Sequence, residues 1–356
     1  MSDGCIYLPA IIGNDTLKAR LGKDVSEGRL SHAYIIEGKK GSGRHTIAKN
    51  IIAAIECETR EAYLSQNLFG EKKQILLPCG KCPSCRKILS DKSPDVAVIG
   101  LEEDRSTIGV ETSRDLKSDM YTAPNELSVK AYIIEDADLM TEEAQNALLL
   151  SFEEPPEYVL CFIICESSMN LLETIRSRAS TLRTEFLSAD KIEEYLFENE
   201  PSSYTIRKEN PDEWKAILFV ADGCIGKAME LLDKNRRDTV FENRNEVKNL
   251  ISVLLSSDRA AATKAIAAFG KKRQGAIEKI VFLQFALRDL LLLKKTDNAP
   301  LCFYEDAEEA TELSTRYTSL SLLKLYDAAE TAKRDLQANA NVKLALTNML
   351  LNAGLL

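Results

Sequence analysis

The stretch Gly38-Lys39-Lys40-Gly41-Ser42-Gly43-Arg44-His45-Thr46 has the G-x-x-x-x-G spacing of a phosphate-binding loop. The apolar run before it, residues 33–36, is typical of a buried strand, and residues 47–55 after it are typical of a helix. A glycine-rich loop between a strand and a helix lets backbone amides surround a phosphate group. The sequence therefore predicts an α/β domain of the P-loop type.

The two positions that do the chemistry in an active loop are replaced here. An active loop has Lys after the last glycine, to reach the outer phosphates, and then Ser or Thr, to hold Mg²⁺. This chain has Arg44, which keeps the charge on a planar fork, and His45, which offers Mg²⁺ no oxygen. We expect weak or no nucleotide binding. The candidate phosphate-binding residues are Gly38, Gly41, Gly43, Arg44 and Thr46.

Three of the nine cysteines form a C-x-x-C-x-x-C run at Cys79, Cys82 and Cys85. Such spacing predicts a metal site in a cytoplasmic chain, and Cys57 is the natural fourth ligand for tetrahedral Zn²⁺. An iron–sulfur site is the alternative, but Leu89 stands where ferredoxin-type runs have their next cysteine. Unconnected buried thiols are a second alternative. Cys161 and Cys165 lie in an apolar run and are expected to fill the core.

Size and charge narrow the functional class. A chain of 356 residues with 45% hydrophobic and 28% charged residues is expected to form two or three domains. Its net charge of −9 argues against a protein that coats DNA by itself, since phosphate neutralisation needs a concentrated basic face. No apolar run is long enough for a membrane span, and the N-terminus lacks a secretion signal, so we expect no membrane and a cytoplasmic location.

The pattern of elements changes near residue 188. Before it, apolar strands alternate with helices, which predicts a parallel sheet with helices on both faces. After it, only helical patterns remain, including an apolar stripe in residues 277–291 that suits a core or a subunit interface. We predict three domains: 1–187 with a zinc module at 57–85, a small helical lid at 188–240, and a helical domain at 241–356. The further predicted strands are 94–99, 129–138, 158–164 and 182–186, and helices are expected to begin at Ile108 and Thr141.

Several motifs in one order give a more specific indication. The run 28–34 (GRLSHAY) precedes the phosphate loop, and the cysteine cluster follows it. Next come 146–149 (NALL), 153–156 (EEPP) and 175–178 (IRSR), and the C-terminal part contains Asn339 to Leu346. Together these motifs resemble the delta-prime family of subunits of the bacterial DNA polymerase III clamp loader. The resemblance is strong over about residues 9–187.

The resemblance implies an AAA+ module, a helical lid and a C-terminal collar that joins five subunits in an open ring. Motor subunits of gamma/tau type and a delta subunit would be the partners, and the ring would load a sliding clamp on primed DNA. The chain itself would be a stator that hydrolyses no ATP, within a DNA-directed DNA polymerase holoenzyme. Arg178 would act in trans at the ATP site of the neighbouring motor subunit, as the family's Ser-Arg-Cys arginine does. Ala179 replaces the Cys of that motif.

Departures from active relatives agree with a silent subunit. Active relatives end one strand with Asp for Mg²⁺ and then Glu for water, whereas this chain has Glu135 and then Asp136. Where relatives place a phosphate-sensing Thr, it has Cys165 followed by Glu166, which would repel a triphosphate. A solvated strand end is the slightly favoured interpretation of the carboxylates. Lys227, near the position of a second phosphate sensor, is interpreted as a surface lysine.

Three hypotheses remain from the sequence. The leading one is the silent stator that completes its neighbour's site, and the first alternative is an active clamp-loader ATPase that tolerates Arg44. The second alternative, a free-standing zinc-dependent DNA-binding protein, is opposed by the net charge of −9. For Arg178, a local ion pair with a carboxylate is the simpler alternative to a role in trans.

Overall fold

The structure, a computed structural model, describes residues 6–27, 29–60, 75–101, 105, 107–255, 259–267, 269–270, 272–296 and 301–355. The chain forms two compact units. The first contains Met1–Tyr195 and Gly223–Lys227, and the second contains Leu196–Asp222 and Ala228–Leu356. Gly28, Cys5 and the part of the zinc module at 61–74 lie outside the described residues. The division into three domains stays a prediction.

The first unit is built on parallel strands, as the alternating pattern predicted. Seven strands are described: β1 (Ile6–Tyr7), β2 (Ala33–Glu37), β3 (Ile75–Leu76), β4 (Val96–Ile99), β5 (Lys130–Ile134), β6 (Val159–Cys165) and β7 (Ser180–Arg183). β1 pairs with β3, and the other five form one parallel sheet in the order β4-β5-β6-β2-β7. β2, which leads into the phosphate loop, therefore lies inside the sheet between β6 and β7.

Helices cover both faces of this sheet. They are α1 (Asp15–Glu27), α2 (Arg44–Ile55), α3 (Pro83–Leu89), α4 (Val110–Met120), α5 (Glu142–Glu153) and α6 (Glu173–Arg176). Successive residues of β2 point to opposite faces, so Ile36 packs with Ile51 of α2 while Ile35 packs with Leu148 of α5. Burial on both faces explains why the inner strands β2, β5 and β6 are mainly apolar rather than alternating.

Two predicted strands end earlier than expected. The one predicted at 129–138 stops at Ile134, because Asp136 has a φ of +47° and residues 137–139 form a short 3-10 helix. The sequence predicts a strand at 182–186, whereas β7 covers Ser180–Arg183. The prediction was wrong at the end of the strand because the N–H of Glu185 donates to the side-chain oxygen of Asn14, at 2.7 Å, instead of continuing the sheet. A side chain from far along the chain thus decides where this strand stops.

The remaining elements are helices, as predicted. They are α7 (Ala189–Asn199), α8 (Ser202–Glu209), α9 (Pro211–Ala221), α10 (Ile225–Glu230), α11 (Lys234–Leu255), α12 (Arg259–Ala267), α13 (Arg273–Leu293), α14 (Ala307–Arg316), α15 (Ser319–Gln337) and α16 (Val342–Asn352). In the second unit, the stripe of α13 forms core: Ile280 and Leu287 are fully buried with Leu325 of α15 and Leu346 of α16. Within the described part of the chain, no helix combines the length and apolar character needed to cross a membrane.

Candidate functional site

The phosphate loop lies at the carboxyl edge of the parallel sheet. β2 ends at Glu37, and α2 begins at Arg44. Gly41 and Gly43 both have φ of +86°, in the left-handed region that glycine enters without steric cost. The N–H of Gly38 donates to the carbonyl of Cys165 at 3.1 Å, which ties the loop to the end of β6. The local geometry of a phosphate loop is therefore present.

Arg44 and His45 point to the carboxylates that follow β5. Arg44 is only 6% exposed, and its Nη2 lies 3.9 Å from Asp136 Oδ1. Its buried Nη1 has no hydrogen-bond partner among the residues that the structure describes. His45 Nδ1 donates to Glu135 Oε1 at 2.7 Å. Glu135 and Asp136 thus contact basic groups of the loop while they stay partly exposed, at 40% and 31%.

These contacts affect the ionisation of the carboxyl groups. The hydrogen bond from His45 holds the pKa of Glu135 below its ordinary value, against the opposing effect of partial burial. Burial raises the pKa of Asp138, although its Oδ2 accepts the N–H of Glu166 at 3.3 Å. The anionic form of Glu135 is therefore stabilised by His45, whereas burial destabilises the anionic form of Asp138.

Glu166 blocks one of the loop's amides. Its side chain is exposed, and its Oε1 accepts the N–H of Lys40 at 3.3 Å. The residue before it, Cys165, is fully buried, and burial raises the pKa of its thiol to about 12. The sequence predicted that Glu166 would repel a triphosphate. The structure adds that its carboxylate occupies the Lys40 amide, for which a phosphate oxygen would have to compete.

The segment 223–227 lies directly on the phosphate loop. The N–H of Gly226 donates to the carbonyl of Gly41 at 2.8 Å. A Cβ at Gly226 would lie 2.9 Å from Gly41 Cα, and one at Gly41 would lie 3.0 Å from the nitrogen of Lys227. The backbones approach this closely only because both positions are glycine. The backbone of Lys227 therefore packs on the loop, and its side chain is half-buried rather than fully exposed.

Thr184 closes the other side of the loop. Its Oγ1 donates to Ser42 Oγ at 3.0 Å, and its backbone N–H donates to the carbonyl of Glu37 at 2.9 Å. A Cβ at Gly38 would lie 1.8 Å from the same Oγ1. The loop is thus held by protein groups on several sides. Thr46, the last of the predicted phosphate-binding residues, is exposed in the first turn of α2.

The four predicted metal ligands come together. The Sγ atoms of Cys57, Cys79, Cys82 and Cys85 lie within 4.8 Å of one another. Sulfurs bound to one Zn²⁺ at about 2.3 Å would be about 3.8 Å apart. Cys57 follows the C-terminal end of α2, and the other three surround the start of α3. The positive φ of Gly80, +68°, turns the chain between the first two of those three. The donor set and spacing fit a tetrahedral ion.

Backbone amides point at the sulfurs of this cluster. The N–H groups of Cys79, Cys82 and Cys85 donate to the Sγ of Cys57, Cys79 and Cys82 respectively, each at 3.4 Å. Burial opposes ionisation of Cys79, but the amides of Cys82 and Lys81 outweigh it and lower the pKa of this thiol to about 6. Burial raises the pKa of the deeper Cys85. Donors around sulfur favour the thiolate form that a metal ion requires.

Arg178 follows α6 and is held locally. Its Nη2 donates to Glu153 Oε1 at 2.7 Å, and its Nη1 donates to the carbonyl of Thr174 at 2.9 Å. The side chain remains 34% exposed. The local ion pair that the sequence analysis left as the simpler alternative is thus present, and the guanidinium is still accessible from outside. Whether it also acts in trans stays a prediction.

Three hydrogen bonds at these sites did not follow from the sequence. They join His45 to Glu135, the amide of Lys40 to Glu166, and the amide of Gly226 to Gly41. Each joins residues that are distant along the chain. The available signal was indirect. Gly226 stood in a segment next to a candidate phosphate sensor, and Glu166 stood at a position predicted to repel a triphosphate. Neither pattern states which residue it contacts.

Comparison with known proteins gives consistent matches. Residues 13–188 match the protein family described as DNA polymerase III, delta subunit, and residues 241–354 match the one described as DNA polymerase III, delta subunit, C terminal. The DNA polymerase III subunit delta' of Bacillus subtilis is 27% identical over 334 residues, 93% of this chain and 93% of that protein. Subunit tau of Escherichia coli is 28% identical over 224 residues, 63% of this chain and 32% of that protein.

A solved structure is also similar. The DNA polymerase III gamma subunit-related protein of Thermotoga maritima is 18% identical, with a TM-score of 0.46 over 96% of this chain and 98% of that one.

Proposed function

The chain belongs to the family of DNA polymerase III clamp-loader subunits, and from that premise we propose that it is the delta-prime-type subunit, which hydrolyses no ATP itself. In this role it is a stator in a five-membered ring with gamma/tau-type motor subunits and a delta subunit. The ring loads a sliding clamp on primed DNA. The similarity to subunit delta' over 93% of both chains supports this choice among the family's members.

The observation that carries the proposal is the hydrogen bond from His45 to Glu135, at 2.7 Å. In an active loop, the hydroxyl that follows the loop lysine and a carboxylate after the strand next but one in the sheet hold Mg²⁺. Mg²⁺ requires oxygen ligands in near-octahedral geometry at about 2.0–2.1 Å. Here an imidazole nitrogen takes the place of the hydroxyl and binds the carboxylate oxygen instead. The protein's own groups thus satisfy each other where an active subunit would bind the metal.

Two further contacts oppose a productive nucleotide. The carboxylate of Glu166 accepts the N–H of Lys40, so a phosphate oxygen would have to displace an anion to reach that amide. The backbone of Gly226 is bonded to Gly41, which restricts the movement of the loop around a ligand. Arg44 keeps a positive charge there, so weak binding of an anion is compatible with the proposal, whereas assembly of a hydrolytic site is not.

The arginine finger is the part of the proposal that concerns catalysis. A planar, permanently charged guanidinium suits the negative charge that builds up on the γ-phosphate during transfer. Arg178 is accessible at 34% exposure, and its own chain has no competent ATP site for it to serve. We therefore assign its action to ATP bound by the neighbouring motor subunit.

Zinc has a structural role in this proposal. Cys57, Cys79, Cys82 and Cys85 would hold the ion and leave no open position for a substrate or water. A four-thiolate site of this kind supplies a cross-link, not a reaction step. In this chain it would tie the C-terminal end of α2 to the start of α3.

The active-ATPase alternative has one specific observation in its favour, the similarity to subunit tau over 63% of the chain. An ATPase assay separates the two. We expect the purified chain to release no phosphate from ATP over multiple turnovers, and the mixture with motor and delta subunits to hydrolyse ATP when primed DNA and clamp are present. Multi-turnover release by the isolated chain that disappears in Arg44→Ala would contradict the proposal and support the alternative.

A further inference from the structure

We propose that Glu153 is a positioning residue for Arg178: it fixes the guanidinium in the orientation that serves the neighbouring ATP site. This inference rests on the proposed action of Arg178 in trans. Its starting point is the 2.7 Å hydrogen bond from Arg178 Nη2 to Glu153 Oε1. Nothing in the motif Ile175–Arg178 alone indicates which group would orient the arginine.

The guanidinium is held at two of its nitrogens. Glu153 accepts from Nη2, and the carbonyl of Thr174 accepts from Nη1 at 2.9 Å. A guanidinium has five N–H donors in a planar fork, so two anchors fix its plane and leave further donors for a phosphate oxygen. An arginine with one anchor could rotate about its long side chain. The second anchor, from Glu153, removes that freedom.

The helix that carries Glu153 is itself well fixed. Glu153 is the last residue of α5. At the preceding residue, the carbonyl of Phe152 accepts from His32 Nε2 at 3.1 Å. Nearer the start of α5, the buried Gln145 accepts the N–H of Leu172 through Oε1 at 2.8 Å. α5 therefore holds the segment that bears the arginine at both ends, through Gln145 at Leu172 and through Glu153 at Arg178.

Stability alone does not account for this pair. The two side chains are 34% and 41% exposed. Ion pairs with this much solvent access contribute little to folding, because water screens the attraction and two long side chains lose freedom. The pair does determine where a charged group points. In catalysis, a misplacement of about 1 Å can lower a rate on the order of 10²-fold.

Glu153 could instead act as a latch that holds Arg178 away from the neighbour. The two roles differ in the sign of the effect. A positioning residue makes the reaction faster, so its removal slows hydrolysis. A latch makes the reaction slower, so its removal speeds hydrolysis. The double anchor favours positioning, since a latch needs only one bond that breaks.

The test is a double-mutant cycle in the complex reconstituted with motor and delta subunits. The full-length variants are Arg178→Ala, Glu153→Ala, Glu153→Gln and the double alanine variant, with Glu154→Ala as the matched control. Steady-state ATP hydrolysis with primed DNA and clamp gives kcat and KM for each complex. Thermal unfolding and gel filtration check that each variant folds and assembles.

We expect Glu153→Ala to lower the DNA-stimulated kcat by about tenfold, within the loss that misplacement can cause, with KM for ATP unchanged. Glu153→Gln should retain more of the rate, because its amide oxygen still accepts from Nη2. The double variant should be no slower than Arg178→Ala, and Glu154→Ala should match the unaltered protein. These results together would support positioning.

Other outcomes overturn the inference in distinguishable ways. If Arg178→Ala slows hydrolysis but Glu153→Ala does not, the arginine finger stands and the positioning role is wrong. If Glu153→Ala speeds hydrolysis, the residue is a latch. If Arg178→Ala itself has no effect on an assembled complex, the proposed action in trans fails, and the role of Glu153 fails with it.

Discussion

In the proposed function, the contact between His45 and Glu135 is what most directly separates this phosphate loop from an active one. Each replaces a residue that binds Mg²⁺ in an active loop. Here His45 Nδ1 donates to Glu135 Oε1 at 2.7 Å. A lone histidine at this position would leave a carboxylate free to attract a cation. The hydrogen bond instead engages the carboxylate within the protein, and the loop carries positive charge on Lys39, Lys40 and Arg44.

The pair also predicts a pH dependence. Since the hydrogen bond from His45 lowers the pKa of Glu135, His45→Ala should raise that pKa back toward the ordinary 4.5. A carboxyl group with a lowered pKa contributes stability above its unfolded value, and this contribution is lost as the pH falls through the folded pKa. Below about pH 4.5, protonation of Glu135 lowers the free energy of unfolding of the unaltered chain. In His45→Ala this part of the loss of stability should be absent.

A carboxylate-detected NMR titration would measure this change. Asp95 is the internal control: three backbone amides of residues 125–127 lower its pKa against the effect of burial, and it does not contact His45. An unchanged Glu135 titration in His45→Ala would mean that the imidazole does not set the ionisation of this carboxyl group.

For single residues, the sequence shows which positions of the phosphate loop are replaced, but not which residues the replacements contact. The replaced loop positions are visible by spacing, because the motif is local. The partner of His45 lies 90 residues away, on the strand next but one in the sheet, and the order of strands is not readable from one sequence. The same reason explains why the sequence named Arg178 but not its pairing with Glu153.

Among the local elements, the cysteine cluster joins two helices that also pack on each other, since Ile88 of α3 is buried in the same core as Ile51 of α2. The cluster links the end of α2 to the start of α3, a helix of seven residues. A helix this short is unstable alone, since nucleation costs more than its few hydrogen bonds return. We therefore expect metal to stabilise this region rather than to take part in a reaction.

Cys82→Ser or chelation should release one equivalent of zinc and destabilise the region around α3, with the rest of the chain remaining folded. Metal analysis with hydrogen exchange of α3 would measure both effects. Cys302→Ser, outside the cluster, is the control that should keep full zinc content. Purified protein that contains no zinc, or that shows the colour of an iron–sulfur centre, would exclude the assignment.

The close approach of α10 to the phosphate loop gives a second prediction for an element. Gly226→Ala places a Cβ 2.9 Å from Gly41 Cα, so the backbones must separate and the Gly226 amide should lose its protection from hydrogen exchange. Crowding of this kind costs about 1–3 kcal/mol. Gly275→Ala in α13, where a Cβ would meet nothing within 4 Å, is the control and should stabilise by about 0.5–1 kcal/mol. Equal unfolding midpoints for the two variants would contradict the role of this contact.

For the whole molecule, the layered first unit and the helical second unit were predictable because hydrophobic periodicity is a local signal. Apolar runs gave the strands, and the change near residue 188 gave the transition to helices. Hydrophobic periodicity does not indicate which residues that are distant along the chain contact each other. Residues 223–227 belong to the first compact unit although helices on either side of them belong to the second. Backbone hydrogen bonds from Gly226 to Gly41 and from Leu187 to Gly223 hold this segment, and no pattern of apolar residues encodes them.

The last prediction concerns assembly. Leu344 and Leu351 are 60% and 52% exposed on α16, and they are seven residues apart, which places them on one face two turns apart. Leu346 and Leu350 of the same helix are buried in the core. If residues 241–356 form the proposed collar, this exposed face is available to a neighbouring subunit. Full burial of a leucine contributes roughly 1.5–3 kcal/mol.

The double variant Leu344→Asp and Leu351→Asp should therefore bind the motor and delta subunits at least ~10²-fold more weakly, since each ~1.4 kcal/mol is a factor of ten. Its zinc content and unfolding temperature should stay close to those of the unaltered chain, because neither leucine is in the core. The matched control, Lys343→Asp with Asn352→Asp, places carboxylates at the adjacent exposed positions and should still assemble. Co-purification and sedimentation would measure the difference. If the leucine variant joins the complex as well as its control does, this face of α16 is not a collar contact, and the subunits must associate through another surface.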